Sequence, residues 1–260
     1  MNNSLENKTV LVTGAARGIG KAIALEAAKQ GANVAVADIQ KEEVDRTADE
    51  ISALKRRSLS LRVDVRSAKD VLEMIQKIRD TFQKIDVLFN NAGVVEIHNF
   101  LDVTEAEWDL IMDTNAKGAF LVGQNVAKVM AEQKSGVIIN TSSVACRKGM
   151  SQASIYAASK SVVASLTWSM AHALAPHGIR VNAIAPGMID TELWEYVDKK
   201  SAEVSEIPPG EPKRRRIQTI PMGRPGTAEE VAKVAVFLAT DEASYIHGQI
   251  VNINGGDFMS

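Results

Sequence analysis

The chain has 260 residues with 30 basic and 32 acidic side chains, a net charge of −2 and a pI of about 6.1, so it presents no charge excess suited to nucleic acid or an anionic membrane. Its single cysteine, Cys146, excludes an intrachain disulfide and fits a reducing cytoplasm; a nucleophilic role for it has no supporting signature around it. No window approaches the ~18 apolar residues of a membrane span, and Met1–Glu6 lacks the basic start and apolar stretch of a secretory leader, so a cytoplasmic protein is expected.

Short runs rich in Val and Ile alternate with longer amphipathic stretches. The runs Thr9–Thr13, Asn33–Asp38, Leu59–Val63, Val87–Asn90, Val137–Asn140, Val181–Ala185 and Gln249–Ile253 read as strands buried on both faces. Helical patterns cover Ile19–Gln30, Lys41–Arg56, Ala68–Phe82, Glu105–Gln133, Ile155–Ala175 and Ala228–Thr240. Gly31 closes the first helix, and Thr104 with Glu107, like Thr227 with Glu230, has the spacing of a capping box. The alternation predicts an α/β domain over residues 1–260, with a doubly wound, seven-stranded parallel sheet and helices on both faces.

The first strand runs into Thr13-Gly14-Ala15-Ala16-Arg17-Gly18-Ile19-Gly20, which opens the first helix. Glycines there allow a tight turn and close approach of a pyrophosphate, while the helix N-terminus supplies N–H donors and positive dipole. Asp38 ends the second strand, where a carboxylate accepts from ribose hydroxyls and repels a 2′-phosphate; this favours NAD over NADP, although it can also simply start a turn. Arg17 is the opposing signal, because an arginine in this turn can pair with a 2′-phosphate. Asp64-Val65 and Asn91-Ala92-Gly93 lie at the ends of the next two strands, where open α/β sheets bind ligands; ordinary turn chemistry explains them as well.

Tyr156 and Lys160 stand at i, i+4 and share a helical face. A tyrosine titrates near 10, so acting as a base at neutral pH needs a lowering worth about 4 kcal/mol. A neighbouring ammonium and the positive ring of NAD⁺ both push that way. Ser143, at the end of the fifth strand, offers a hydroxyl to a substrate oxygen.

Between Ile189 and Pro225 the chain is polar, charged and Pro-rich. It reads as a lid at about 189–225, partly helical near Glu192–Val204, or else as a disordered excursion. The basic run Lys213-Arg214-Arg215-Arg216 reads as a solvated loop face or as a binding patch.

With T-G-x-x-x-G-I-G at Thr13–Gly20, N-N-A-G at Asn90–Gly93, Ser143, Tyr156/Lys160 and Pro186-Gly187 in order, nearly the whole chain resembles the short-chain dehydrogenase/reductase family. The resemblance implies a Rossmann-type fold and hydride transfer between a nicotinamide cofactor and an alcohol or ketone. It implies that Tyr156 moves the proton, Lys160 lowers the tyrosine's pKa and binds the nicotinamide ribose, Ser143 holds the reacting oxygen and Asn115 holds a water. It further implies that Pro186, Gly187, Ile189 and Thr191 frame the nicotinamide, and that four copies assemble through Glu105–Gln133, Ile155–Ala175 and the last strand.

The segment Leu193–Asp198, Ile207–Glu211 and the close Gly255–Ser260 are similar to bacterial sorbitol dehydrogenases of that family. A polyol substrate needs hydrogen-bonding side chains; Glu96, His98, Asn99, Gln152, Glu192 and Glu195 are candidates, each of which can as well simply face solvent, with Met150 and Trp194 for an apolar wall or for ordinary core packing. Two other readings stand beside it: a reductase of another carbonyl, such as a 3-oxoacyl thioester or diketone, and a non-catalytic nucleotide-binding regulator.

Overall fold

The computed structural model describes residues 4–259; the first three residues of the leader reading and Ser260 of the closing resemblance lie outside them. In the first strand, β1 (Thr9–Thr13), Val10 and Val12 face one side and Leu11 the other, following the two-residue period of a strand. All three are fully buried, so both faces of the sheet must be covered. The remaining strands are β2 (Asn33–Asp38), β3 (Ser58–Arg62), β4 (Val87–Asn90), β5 (Gly136–Thr141), β6 (Ile179–Pro186) and β7 (Ile250–Ile253). They form one seven-stranded sheet of order β3-β2-β1-β4-β5-β6-β7, parallel throughout. The expected Rossmann-type architecture is the one observed.

The helices are α1 (Gly18–Lys29), α2 (Lys41–Ala53), α3 (Ala68–Phe82), α4 (Glu105–Ile111), α5 (Gly118–Gln133), α6 (Ser154–Leu174), α7 (Glu192–Ser205), α8 (Glu211–Gln218) and α9 (Ala228–Ala239). Ile23 of α1, Ile51 of α2 and Val231 of α9 close over Val10 and Val12. Met74 and Ile78 of α3 and Val126 and Met130 of α5 close over Leu11. Both expected capping boxes form, Thr104 with Glu107 and Thr227 with Glu230. None of the described helices is long and apolar enough to cross a membrane.

Two expectations change. The single helix expected over Glu105–Gln133 is broken by a π-turn at Met112–Lys117, which places Asn115 and Ala116 inside. The segment after Ile189 is not disordered: it forms α7 and a second helix, α8, which carries the basic run. Lys213 pairs with Asp190, Arg214 and Arg215 with Glu211, and Arg216 with Asp257. The run is therefore neither a loop nor a free cationic patch.

Candidate active site

Between β1 and β4 the chain direction of growth reverses, and a cleft opens at the C-terminal strand ends there. Its volume is about 370 Å³. Gly14, Arg17, Gly18, Ile19, Gly20, Asp38, Asp64, Val65, Asn91, Ala92 and Gly93 line it, as do Ser143, Tyr156, Lys160, Pro186, Gly187, Ile189 and Thr191. Of the catalytic and cofactor-binding candidates only Asn115 is outside this lining, and it is buried.

The turn after β1 is built for close approach. A Cβ at Gly14 would lie 2.7 Å from the Ala92 backbone, and one at Gly20 would lie 2.0 Å from the Gly14 carbonyl oxygen. Thr13 Oγ1 accepts from the N–H groups of Asn91 and Ala92 at 3.0 and 3.2 Å, so the turn and the β4 loop form one unit. Sequence reasoning passed over that Thr13 contact because the hydroxyl's partners lie on a distant strand. The first turn of α1 has no side-chain cap and no acidic residue. Its N–H donors and dipole are thus uncompensated, which fits a dinucleotide pyrophosphate at that end.

Asp38 Oδ2 accepts from Ala16 N at 3.0 Å and Oδ1 from Gln40 N at 3.1 Å. Both readings of Asp38 hold geometrically: it shapes a turn, and its carboxylate is fixed at the cleft. Arg17 pairs with Glu192 of α7 at 3.0 Å across the cleft mouth. Asp64 is gripped by the Arg66 guanidinium, with contacts from 2.6 Å, and this ion pair holds its carboxyl below the ordinary range.

At the other end, α6 is seated by a buried polar chain. Asn90 donates to Asn140 at 3.1 Å, and Asn140 donates to Thr167 of α6 at 3.0 Å. Lys160, 4% exposed, donates to Thr141 O at 2.8 Å and stands 5.7 Å from the Tyr156 ring centre. Burial pushes its pKa down to about 8. The Ser143 hydroxyl, which accepts from Ala145 N at 3.1 Å, is hydrogen-bonded to Tyr156. Burial pushes the tyrosine's pKa up, and the Ser143 contact pulls it down.

Asn115 spends its side-chain amide on structure. Its Oδ1 accepts from Val94 N and its Nδ2 donates to Val94 O, both at 2.8 Å, and Nδ2 also donates to Ser159 Oγ at 3.0 Å. A Cβ at Gly93 would lie 3.1 Å from Asn115 Oδ1 and 3.4 Å from Lys160 Nζ, so the glycine lets the two approach.

Of the polar candidates for substrate contact, only Glu192 lines the cleft, beside Trp194. Glu96 accepts from the Tyr196 hydroxyl, His98 pairs with Glu107 at 2.8 Å, and Gln152 donates to Ser205 at 2.8 Å. The Glu96 and Gln152 contacts fasten α7 to its surroundings, and the His98 contact joins its own loop to α4. Met150 flanks a small apolar cluster of Val95, Ile97 and Ala153, together with Tyr156 and Tyr196.

Residues 14–257 match the family model described as enoyl-(acyl carrier protein) reductase. The chain belongs to the short-chain dehydrogenase/reductase family. Sorbitol dehydrogenase from Cereibacter sphaeroides is 40% identical over 98% of this chain and 99% of its own. The 3-oxoacyl-[acyl-carrier-protein] reductase FabG from Thermotoga maritima is also 40% identical, over 97% of this chain and 98% of its own. The crystal structure of an NAD⁺-bound xylitol dehydrogenase superposes with a TM-score of 0.94 at 33% identity, covering 97% of this chain and 99% of that one. As a member of this oxidoreductase family, the short-chain dehydrogenase acts with a nicotinamide dinucleotide on a small molecule.

Proposed function

We propose that this short-chain dehydrogenase oxidises a secondary hydroxyl of a polyol such as sorbitol or galactitol to a ketone with NAD⁺, in the cytoplasm. The observation that carries the reading is the joining of Ser143, Tyr156 and Lys160 in one cleft whose far end presents the fixed carboxylate of Asp38. When bound, the oxidised cofactor supplies the hydride acceptor and a positive charge that lowers the pKa of Tyr156. Tyr156, as phenolate, takes the hydroxyl proton as the substrate carbon gives up its hydride and the carbonyl forms. Ser143 holds the reacting oxygen, and Lys160 binds the nicotinamide ribose. Asn115 acts by fixing the loop at Val94, and residues 189–225 form the lid.

Asp38 supports NAD because its two oxygens, already held by Ala16 and Gln40 N–H groups, would meet a 2′-phosphate with like charge. The Arg17 guanidinium, which would favour that phosphate, is engaged by Glu192. A second reading, reduction of a 3-oxoacyl thioester, draws support from the equally similar Thermotoga relative. The absence of a free basic patch on α8 and the position of Asp38 weigh against it.

Steady-state rates with NAD⁺ and NADP⁺ across sorbitol, galactitol, mannitol, xylitol and 2,3-butanediol test the proposal. NAD⁺-linked turnover of the hexitols is expected. Activity confined to acyl thioesters with NADPH would replace it with the second reading.

A further inference from the structure

Outside the cleft, one carboxylate is more deeply enclosed than any other member of an ion pair among the described residues: Asp257, whose side chain is 4% exposed. It lies in the segment after β7. Gly255 and Gly256, both at positive φ, turn that segment inward, and Asp257 N donates to Asn254 O at 3.1 Å. Two cations meet the carboxylate. Arg216 of α8 grips both oxygens, with Nη1 at 2.6 Å from Oδ1, and Lys148 reaches Oδ2 at 3.0 Å.

The two cations come from different parts of the site. Lys148 follows the short 3₁₀ turn Val144–Arg147 that Ser143 caps, so it holds the far end of the backbone that places the Ser143 hydroxyl. The next residue back, Arg147, donates to Ile250 O at 3.1 Å and ties the same turn to β7. Arg216 belongs to the helix that completes the lid, and Met222 N, where the lid returns, donates to Gly255 O at 3.1 Å. Such an enclosed carboxylate is costly without its partners, and each cation loses a directional, charge-assisted contact if it goes.

We propose that Asp257 is a positioning residue that anchors both the lid, through Arg216, and the loop carrying Ser143, through Lys148. The proposal rests on reading 189–225 as a lid. The arms are separable because each cation serves a different step. Arg216 sets how the lid closes on substrate, and Lys148 sets where Ser143 meets the reacting oxygen.

The test compares Arg216→Met, Lys148→Met, Asp257→Asn and Asp257→Glu as full-length proteins, with sorbitol, galactitol and 2,3-butanediol as substrates and NAD⁺ in excess. Arg216→Met is expected to raise KM about tenfold with kcat little changed, and Lys148→Met to lower kcat about tenfold with KM little changed. Asp257→Asn should do both, and Asp257→Glu should recover part of each. Limited trypsin digestion gives a readout independent of the substrate. Cleavage between Lys199 and Arg215 should speed up in Asp257→Asn and Arg216→Met but not in Lys148→Met, under conditions where all variants remain folded by circular dichroism. Identical kinetic changes in the two methionine variants, or unchanged cleavage in Asp257→Asn, overturn the shared anchor with its two separate arms. If the wild type oxidises none of these alcohols, the polyol reading falls, and the digestion still decides the Asp257 proposal.

Discussion

Tyr156 carries a hydroxyl that Ser143 hydrogen-bonds and a ring that Lys160 faces at 5.7 Å. Removing that hydroxyl removes the only proton carrier proposed at the reacting oxygen, while the cofactor end of the cleft is untouched. Tyr156→Phe is therefore expected to lower kcat by about 10³-fold or more while NADH binds with an unchanged Kd, measured by fluorescence titration. Residual turnover within tenfold of wild type would mean that another group moves the proton.

Lys160 invites a second experiment at the same scale. Its ordinary value is 10.5, and burial brings it to about 8 in the folded protein. Between those values the unfolded chain holds the proton and the folded chain does not, so stability rises with pH across that window. Below about pH 8 the folded protein bears the full cost of a buried ammonium, on the order of 3 kcal/mol. Lys160→Met is expected to be inactive yet more stable than wild type at pH 7, with the margin shrinking towards pH 10. Urea denaturation at both pH values checks this; a margin that does not change with pH contradicts it.

At the scale of elements, the glycine turn is the least tolerant piece. Adding a Cβ at Gly20 drives it to 2.0 Å from the Gly14 carbonyl oxygen, whereas Gly149 has nothing within 4 Å. Gly20→Ala should cost about 1–3 kcal/mol of strain and weaken NADH binding about tenfold or more, while Gly149→Ala leaves the Kd unchanged. Equal affinities in the two variants would show that the turn can yield. This turn was fully legible in the sequence, because a strand, three glycines and a helix start are local signals. The strands were legible to within two residues for the same reason: Val181–Ala185 was expected, and β6 runs Ile179–Pro186.

Helix α8 was not legible. Its N-terminal donors, Gly210 N and Lys213 N, are satisfied by Asp198 of α7 at 2.7 Å each, a cap supplied by another helix. The π-turn at Met112–Lys117 was hidden too, since the apolar pattern continues through it from α4 into α5. The partners of Glu96, Gln152 and His98, which lie in α7 and α4, were not legible either. Such pairings depend on how separate elements are docked, and spacing along the chain does not report them.

For the whole molecule, the exposed aromatic residues are informative. Trp108 of α4, Phe120 of α5 and Trp168 of α6 remain 41–51% exposed, and β7 is one of the two edge strands of the sheet. These are the elements through which the family likeness implies assembly, and apolar side chains left on them favour burial between copies. Light scattering at micromolar concentration is expected to give four times the 28.1 kDa chain mass. A mass of one chain across that range rules the assembly out.

The sheet order has a further consequence, for how the molecule is made. β1 and β4 are hydrogen-bonded neighbours, yet the contact between Asn91 and Thr13 spans 78 positions of chain. Everything that shapes the dinucleotide end of the cleft sits on the two sides of that junction. Long-range parallel pairing comes late, because the entropy of closing the intervening loop must be met before the contacts form. A nascent chain that has folded only its first βαβ unit already has the glycine turn but no floor beneath it. A cofactor that needs both halves is therefore expected to stabilise the finished fold and not the first βαβ unit, and to slow proteolysis of the native state when it is added.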